Sequence, residues 1–167
     1  MSDDVTGAQR AAWATIALDA YTTEAPEHLL PLPAAPERVR LGVAAAEAMA
    51  RATRYNPADR AVTDTASAYE TIGDLVAYVF HLGDHHQVTP DQLIRAADEM
   101  RSPYPKSLDA VCLAAAAADV DRVAAMLAAL IEAAESFGCD VPALVADARE
   151  QHAEANAEEE ETRQMTA

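Results

Sequence analysis

Long runs of alanine constrain this chain more than any other feature of its sequence. Residues 41–50 read LGVAAAEAMA and residues 112–120 read CLAAAAADV. Because alanine has the highest helix propensity and only a small side chain to bury, such runs predict helices that pack closely around a thin core. The chain has five glycines and is 5% aromatic, which favours long helices with few breaks. We therefore predict an all-α fold.

Prolines, capping residues and apolar spacing divide the chain into about six helices. We predict helices over residues 4–23, 36–53 and 59–86, a short helix capped by Thr89, a long helix over residues 107–137, and a sixth from Val141 onward. The TPDQ sequence at residues 89–92 places Thr at the cap, Pro at the first helical position and Gln three residues after the cap. Gly138 and Asp140 mark the turn between the last two helices.

Residues 25–37 read APEHLLPLPAAPE and contain four prolines. Proline cannot continue a regular helix, because it lacks the backbone N–H and its ring clashes with the preceding turn. We predict an extended strap here, with Leu29, Leu30 and Leu32 laid on the core.

Residues 66–101 weakly repeat in residues 117–152, at an offset of 51 positions. The offset places Thr89 on Asp140, both as helix caps, and Leu93 on Leu144. We therefore predict one domain over residues 1–150, a bundle built on two similar antiparallel helical hairpins. Duplication and convergence on the same packing demands both explain the repeat. Residues 151–167, which end in EANAEEEETRQMTA, are predicted to be an acidic, frayed tail.

The chain has a formal net charge of −16, and Lys106 is its one lysine. Such a surface repels nucleic-acid phosphates and anionic lipid head groups, so we expect neither nucleic-acid nor membrane binding. The apolar run Val111–Ala118 is too short to span a bilayer, and the acidic start does not resemble a signal peptide. Cys112 and Cys139 predict reduced, partly buried thiols. We expect a cytoplasmic protein with a basic partner.

Three of the five histidines lie within residues 81–86. His86 continues the apolar stripe of its helix, so we predict that it is partly buried. His81 and His85 stand four positions apart, a spacing that can place two imidazoles on one metal ion. At about 100° per residue, one helix face carries Glu70, Asp74, Tyr78, His81 and His85. This face is opposite the apolar stripe, so it is either a solvated polar face or, if a second helix covers it, a divalent-metal site.

The stretch YETIGDLVAYVFHLGDHHQVTPDQL, residues 69–93, resembles the all-α nucleoside triphosphate pyrophosphohydrolases, the MazG-like group. Their motif reads approximately Glu-Glu-Leu-Gly-Asp-Leu-Leu, and residues 70–76 here read ETIGDLV. In that family, acids on two adjacent helices hold magnesium, and a metal-activated water cleaves between the α and β phosphates. The same hairpin is similar to small helical proteins of actinobacterial phages and plasmids. This likeness implies a shared fold more than a shared activity.

The chain departs from the MazG-like pattern at the metal ligands. Asp74 matches the family's Asp, but Thr71 stands where its Glu belongs, and Glu70 is one position away. The second acidic motif would fall near VAAAEAMARA, where Glu47 is the single acid. Two acids cannot easily replace four in holding octahedral magnesium.

Three functions remain open from the sequence. The leading hypothesis is a non-catalytic acidic helical interaction protein, borne by a phage or plasmid, which binds another protein and uses no cofactor. The second is a divergent MazG-like hydrolase that holds Mg²⁺ with Glu47, Glu70 and Asp74, helped by His81 and His85. The third is a DNA mimic that occupies the basic groove of a DNA-binding protein. The thin core and exposed hairpins also predict a homo-oligomer, most commonly a dimer.

Overall fold

The structure is a computed structural model that describes residues 5–25, 34–102 and 117–167. Over these ranges it has six α-helices and no strand, which confirms the all-α prediction. The helices are α1 (Gly7–Glu24), α2 (Ala35–Thr53), α3 (Thr65–His85), α4 (Pro90–Arg101), α5 (Ala117–Ser136) and α6 (Val141–Thr166). The predicted strap with its three leucines, the start of the fifth helix and Cys112 lie outside the described residues. No helix in the described ranges is long and apolar enough to cross a membrane.

Side-chain caps set the starts of α1, α3, α4 and α6. Thr89 accepts a hydrogen bond from the Gln92 N–H while the Gln92 side chain accepts from the Thr89 N–H, which completes the capping box that TPDQ predicts. The start predicted for the third helix was wrong. Residues 57–59 form a separate 3-10 turn, and a capping box between Asp64 and Ser67 starts α3 at Thr65.

The turns after α3 and α5 have the same hydrogen bonds at an offset of 51 residues. The Val88 N–H donates to the Gly83 carbonyl at 2.9 Å, and the Cys139 N–H donates to the Ala134 carbonyl at 3.0 Å. The residue before each donor has positive φ, 58° at Gln87 and 78° at Gly138. Both helices therefore end in a Schellman motif, and the repeat found in the sequence is a repeat of backbone geometry at these turns.

The two helical hairpins are α3–α4 and α5–α6, and each packs mainly on the other. The short helix α4 lies on α5, and α6 lies on α3, whereas α3 and α4, or α5 and α6, contact each other little beyond their turns. The first two helices follow the same scheme, since α1 packs on α3, α2 packs on α5, and α1 and α2 pack on each other. Exchanging α1 with α2, α3 with α5 and α4 with α6 thus preserves the main contacts, which is an approximate internal two-fold arrangement.

A continuous core with side chains from all six helices fills the centre of this arrangement. Alanines make much of it: Ala45, Ala46 and Ala50 of the first alanine run and Ala128, Ala129 and Ala133 of α5 are fully buried. The side chains of the second run up to residue 119 lie outside the described part of the chain. Small side chains let helices approach closely, and α2 and α5 form the most extensive helix pair in the described chain.

The predicted frayed tail from residue 151 is a helix. Helix α6 continues without a break to Thr166, and both His152 and Ala155 are buried. Glu159 accepts a hydrogen bond from the Gly7 N–H at the start of α1. The apolar stripe of α6 therefore extends beyond Ala148 through a histidine, a residue that sequence patterns count as polar. Residues 160–167 are exposed.

Candidate functional site

Two histidines and one aspartate meet where α3 and α6 pack together. The Nε2 atom of His152 lies 2.7 Å from Oδ2 of Asp84, and Nδ1 of His81 lies 3.9 Å from the same oxygen. The two imidazole rings are in edge contact, with centroids 4.6 Å apart. In the part of the chain that the structure describes, this is the one group of three His, Cys, Asp or Glu residues whose ligand atoms all lie within 4.8 Å of one another.

Three helices position the cluster. His81 and Asp84 lie three residues apart in the last turns of α3, so both side chains reach the same side of that helix. His152 follows the buried residues Leu144 and Ala148 at four-residue steps on α6, and its ring also contacts the edge of Phe80. The start of α1 closes the site, because a Cβ on Gly7 would lie 3.0 Å from Nδ1 of His81.

The imidazole of His81 is held in its neutral form. Its residue is 2% exposed, and burial lowers its pKa to about 4, helped by the nearby His152 and Arg10 against the opposing carboxylates of Asp84 and Glu159. Its Nε2 atom is buried without a hydrogen-bond partner. A neutral imidazole is the form that binds metal ions or accepts a proton, and its burial is not explained by hydrogen bonds within the described chain.

A polar cavity of about 250 Å³ opens beside His81. Its lining includes the guanidinium of Arg10, the phenol of Tyr78 and the carboxylates of Glu154 and Glu158. Burial raises the pKa of Tyr78, with Asp74 adding to the shift. The cavity is large enough for several waters beside the histidines.

The acids predicted to hold magnesium contact neighbouring protein groups in the structure. Arg54 lies between two of them: its Nη2 is 3.1 Å from Oδ2 of Asp74 and 3.7 Å from Oε1 of Glu70. Its Nη1 donates to the Thr71 hydroxyl at 2.7 Å. Glu47 accepts the backbone N–H of Val62 at 3.0 Å. Among the described residues these acids do not form a group of three with ligand atoms within 4.8 Å.

The predicted polar stripe on the third helix is divided between buried and exposed positions. His81 is buried under α6 and the start of α1, Tyr78 is half-buried against Trp13 with ring centroids 5.3 Å apart, and Glu70 and His85 are exposed. His81 and His85 therefore do not share an environment, although their spacing suggested a metal pair. His86 is half-buried, as predicted.

Asp84 and His152 were not predicted as site residues from the sequence. The 51-residue offset nevertheless relates them to charged residues that can pair with one another. It places His81 on Glu132, Asp84 on Glu135 and Arg101 on His152. In the structure, Arg101 binds Glu135 at 2.6 Å and approaches Glu132 at 3.7 Å. The three equivalent positions therefore meet in both halves of the molecule, once as a cluster of ion pairs and once as a cluster of imidazoles and a carboxylate.

Comparison with protein-family models, with curated proteins and with solved structures finds no match to this chain.

Proposed function

We propose that this chain is a non-catalytic helical interaction protein whose acidic C-terminal helix binds a basic surface of another protein. The observation that carries the proposal is the extension of α6 beyond its last buried residue. From Ala155 the helix continues for about three turns to Thr166. Four glutamates are exposed near and along this extension: Glu154, Glu158, Glu160 and Glu161.

The surface beside the extension suits long cationic side chains. A groove of about 520 Å³ lies between the start of α1 and this part of α6. Its lining combines the apolar residues Val5 and Met165 with three glutamates and two arginines: Glu158, Glu159, Glu161, Arg10 and Arg163. Arg163 is already paired with Glu159 and Glu160, so Glu158 and Glu161 are the acids offered to a partner. Arginine and lysine place an apolar stem on such a surface and a charged head on its acids. The net charge of −16 favours basic partners at long range.

The contacts of Arg54 support a non-catalytic role over the magnesium-dependent hydrolase that the MazG-like resemblance implies. A magnesium ion at Asp74 and Glu70 would have to displace a guanidinium that already neutralises them. Burial raises the pKa of Asp74 while Arg54 opposes that shift, so this carboxylate depends on its partner for charge compensation. Magnesium-dependent hydrolysis of a nucleoside triphosphate by the pure protein, lost in Asp74→Asn, would overturn the proposal.

Site-specific photo-cross-linking tests the surface. A photoreactive amino acid at position 161 on α6 is compared with one at position 52, which is exposed on α2. We expect a distinct basic protein to cross-link from position 161 and not from position 52, with a yield that falls as salt rises. If the same proteins cross-link from both positions, the docking surface is wrong.

A charge-matched pair of variants separates a specific surface from general acidity. Glu154→Gln, Glu158→Gln and Glu160→Gln together, in the chain that carries the photoreactive residue at position 161, should reduce the cross-link yield by about tenfold or more. The control triple, Asp19→Asn, Asp59→Asn and Asp98→Asn, removes the same charge from exposed positions elsewhere and should leave the yield unchanged. Equal effects of both triples would contradict a docking surface on α6.

The identity of the partner decides between two forms of this proposal. A partner that binds DNA, and that DNA displaces from the protein, would make the acidic helix a DNA mimic. A basic partner that does not bind DNA supports the general interaction role. Self-association and a cytoplasmic location stay predictions from the sequence, and light scattering on the purified chain tests the first.

A further inference from the structure

We propose that His81, Asp84 and His152 bind one Zn²⁺ ion that holds α6 on α3. This inference goes beyond the docking proposal and does not depend on it, because the ligands lie in the packed part of α6 and not on its exposed extension.

Two of the three separations between the ligand atoms are close to those around a tetrahedral ion, and the third is below 4.8 Å. Bonds of about 2.0–2.1 Å at tetrahedral angles separate ligand atoms by about 3.3 Å. The observed separations from Oδ2 of Asp84 are 2.7 Å to His152 and 3.9 Å to His81, on either side of that value. Side-chain movements of less than an ångström would equalise them. Three protein ligands leave a fourth position for water, and the Asn156 amide lies 3.4 Å from Oδ2 of Asp84 as a polar neighbour.

The buried ring of His81 is a second, independent observation. A polar side chain that is 2% exposed and leaves Nε2 without a partner has a desolvation cost that hydrogen bonds in the described chain do not offset. Coordination of its Nδ1, the nitrogen that lies 3.9 Å from Oδ2 of Asp84, would stabilise the buried ring through its other nitrogen, while Nε2 keeps no partner.

The equivalent positions in the other half of the molecule hold charged residues that form ion pairs across the helices. There, the guanidinium of Arg101 connects α4 to Glu132 and Glu135 of α5, and Arg38 of α2 binds Glu132 through two hydrogen bonds of 2.6 and 2.7 Å. His152 replaces that arginine in the contact between α6 and α3. A bound cation would place a positive charge on Asp84 between the two helices, in addition to Arg10 of α1 near His81.

The types of ligand select the metal. Two imidazoles and one carboxylate are typical of zinc and of neighbouring transition metals. Magnesium and calcium prefer sites made of oxygen ligands, so two nitrogen ligands disfavour them. Zn²⁺ has no preferred geometry from its d electrons and tolerates the unequal distances here.

Titration of the full chain with Zn²⁺ after treatment with EDTA tests the proposal. We expect one ion per chain with a dissociation constant in the micromolar range or below, a rise in melting temperature, and tetrahedral absorption bands when Co²⁺ is used as the probe. His152→Gln should weaken binding more than about 100-fold, since loss of even an outer-shell partner costs about 10–100-fold. Absence of binding at about 0.1 mM Zn²⁺ would overturn the site.

His85→Gln is the matched control, because His85 is an exposed histidine one residue from Asp84. It is also the residue that the four-residue spacing pairs with His81. We expect its affinity for Zn²⁺ to equal that of the wild type. Loss of binding in His85→Gln, with binding retained in His152→Gln, would assign the metal to the surface of α3 and refute the proposal.

A double variant guards against a result that only reflects misfolding. His81→Glu with His152→Arg reproduces, beside Asp84, the charges that the other half carries as Glu132, Arg101 and Glu135. We expect this variant to keep the wild-type circular dichroism spectrum and to lose Zn²⁺ binding. A folded double variant with wild-type affinity would show that the imidazoles are not the ligands.

Discussion

Gly42 of α2 lies so close to Ala129 of α5 that a Cβ on the glycine would overlap the alanine's carbonyl oxygen. The obstructing atom belongs to the backbone, so a side-chain rotation cannot relieve the clash. We expect Gly42→Ala to force α2 away from α5 and to lower the free energy of unfolding by about 1–3 kcal/mol, the usual cost of overpacking. Urea unfolding measures the change.

Gly73→Ala is the control for that substitution. Gly73 is also buried in a helix, but a Cβ at this position would have Cγ of Leu144 as its nearest neighbour at 3.8 Å, an ordinary contact. Alanine should therefore raise the free energy of unfolding by up to about 1 kcal/mol through its higher helix propensity. If both variants are equally stable, the close approach of α2 and α5 is wrong.

The two equivalent turns predict opposite effects of exchanging their central residues. Gln87 and Gly138 both have positive φ, a conformation that costs residues other than glycine about 1–2 kcal/mol. Gly138→Gln should lower the free energy of unfolding by about that amount, whereas Gln87→Gly should raise it by about 0.5 kcal/mol after the loss of chain entropy. Thermal and urea unfolding of the two variants check the signs, and equal signs would contradict the shared turn geometry.

Arg54 compensates the charge of Asp74, which is half-buried. We expect Arg54→Met to lower the free energy of unfolding by about 1–3 kcal/mol, because it leaves a carboxylate without its partner. Adding Asp74→Asn should recover part of the loss in a double-mutant cycle. Arg51→Met, at an exposed position of the same helix, should change stability by less than about 0.5 kcal/mol. Additive effects of Arg54→Met and Asp74→Asn would refute the coupling.

The metal-free protein should lose stability in acid through His81. Its pKa is lowered from 6.5 to about 4 in the folded chain. The neutral ring therefore contributes stability that is fully present above pH 6.5 and is lost as the pH falls towards 4. The contribution is up to about 3 kcal/mol.

Urea unfolding of the metal-free wild type and of two variants, between pH 4 and pH 6.5, measures this loss of stability. His81→Gln should show a shallower decline than the wild type, and His85→Gln should keep the steep decline because His85 is exposed. Parallel curves for the wild type and His81→Gln would mean that the ring of His81 is not buried.

Interactions close in sequence could be predicted well. The capping box of Thr89 and Gln92, the stop at Gly138 and the cap at Asp140 each involve residues within a few positions of one another. Their geometry depends on the local backbone, so residue types alone identify them. The start of the third helix was the exception, since the apolar residue Val62 looked helical but is buried in the loop before Asp64.

Alanine runs, caps and turn residues thus determined by themselves that the chain is helical and where most of its helices end, and they pointed to the equivalence of the turns after α3 and α5. Only the tertiary structure decided which helix covers which face, because burial of apolar surface has no direction and favours any partner of the right shape. It placed α6 on α3, joined Asp84 to His152 across 68 positions, and gave Arg54 the acids that had suggested magnesium. The candidate site forms because α6 packs on α3, and no local sequence pattern predicts that contact.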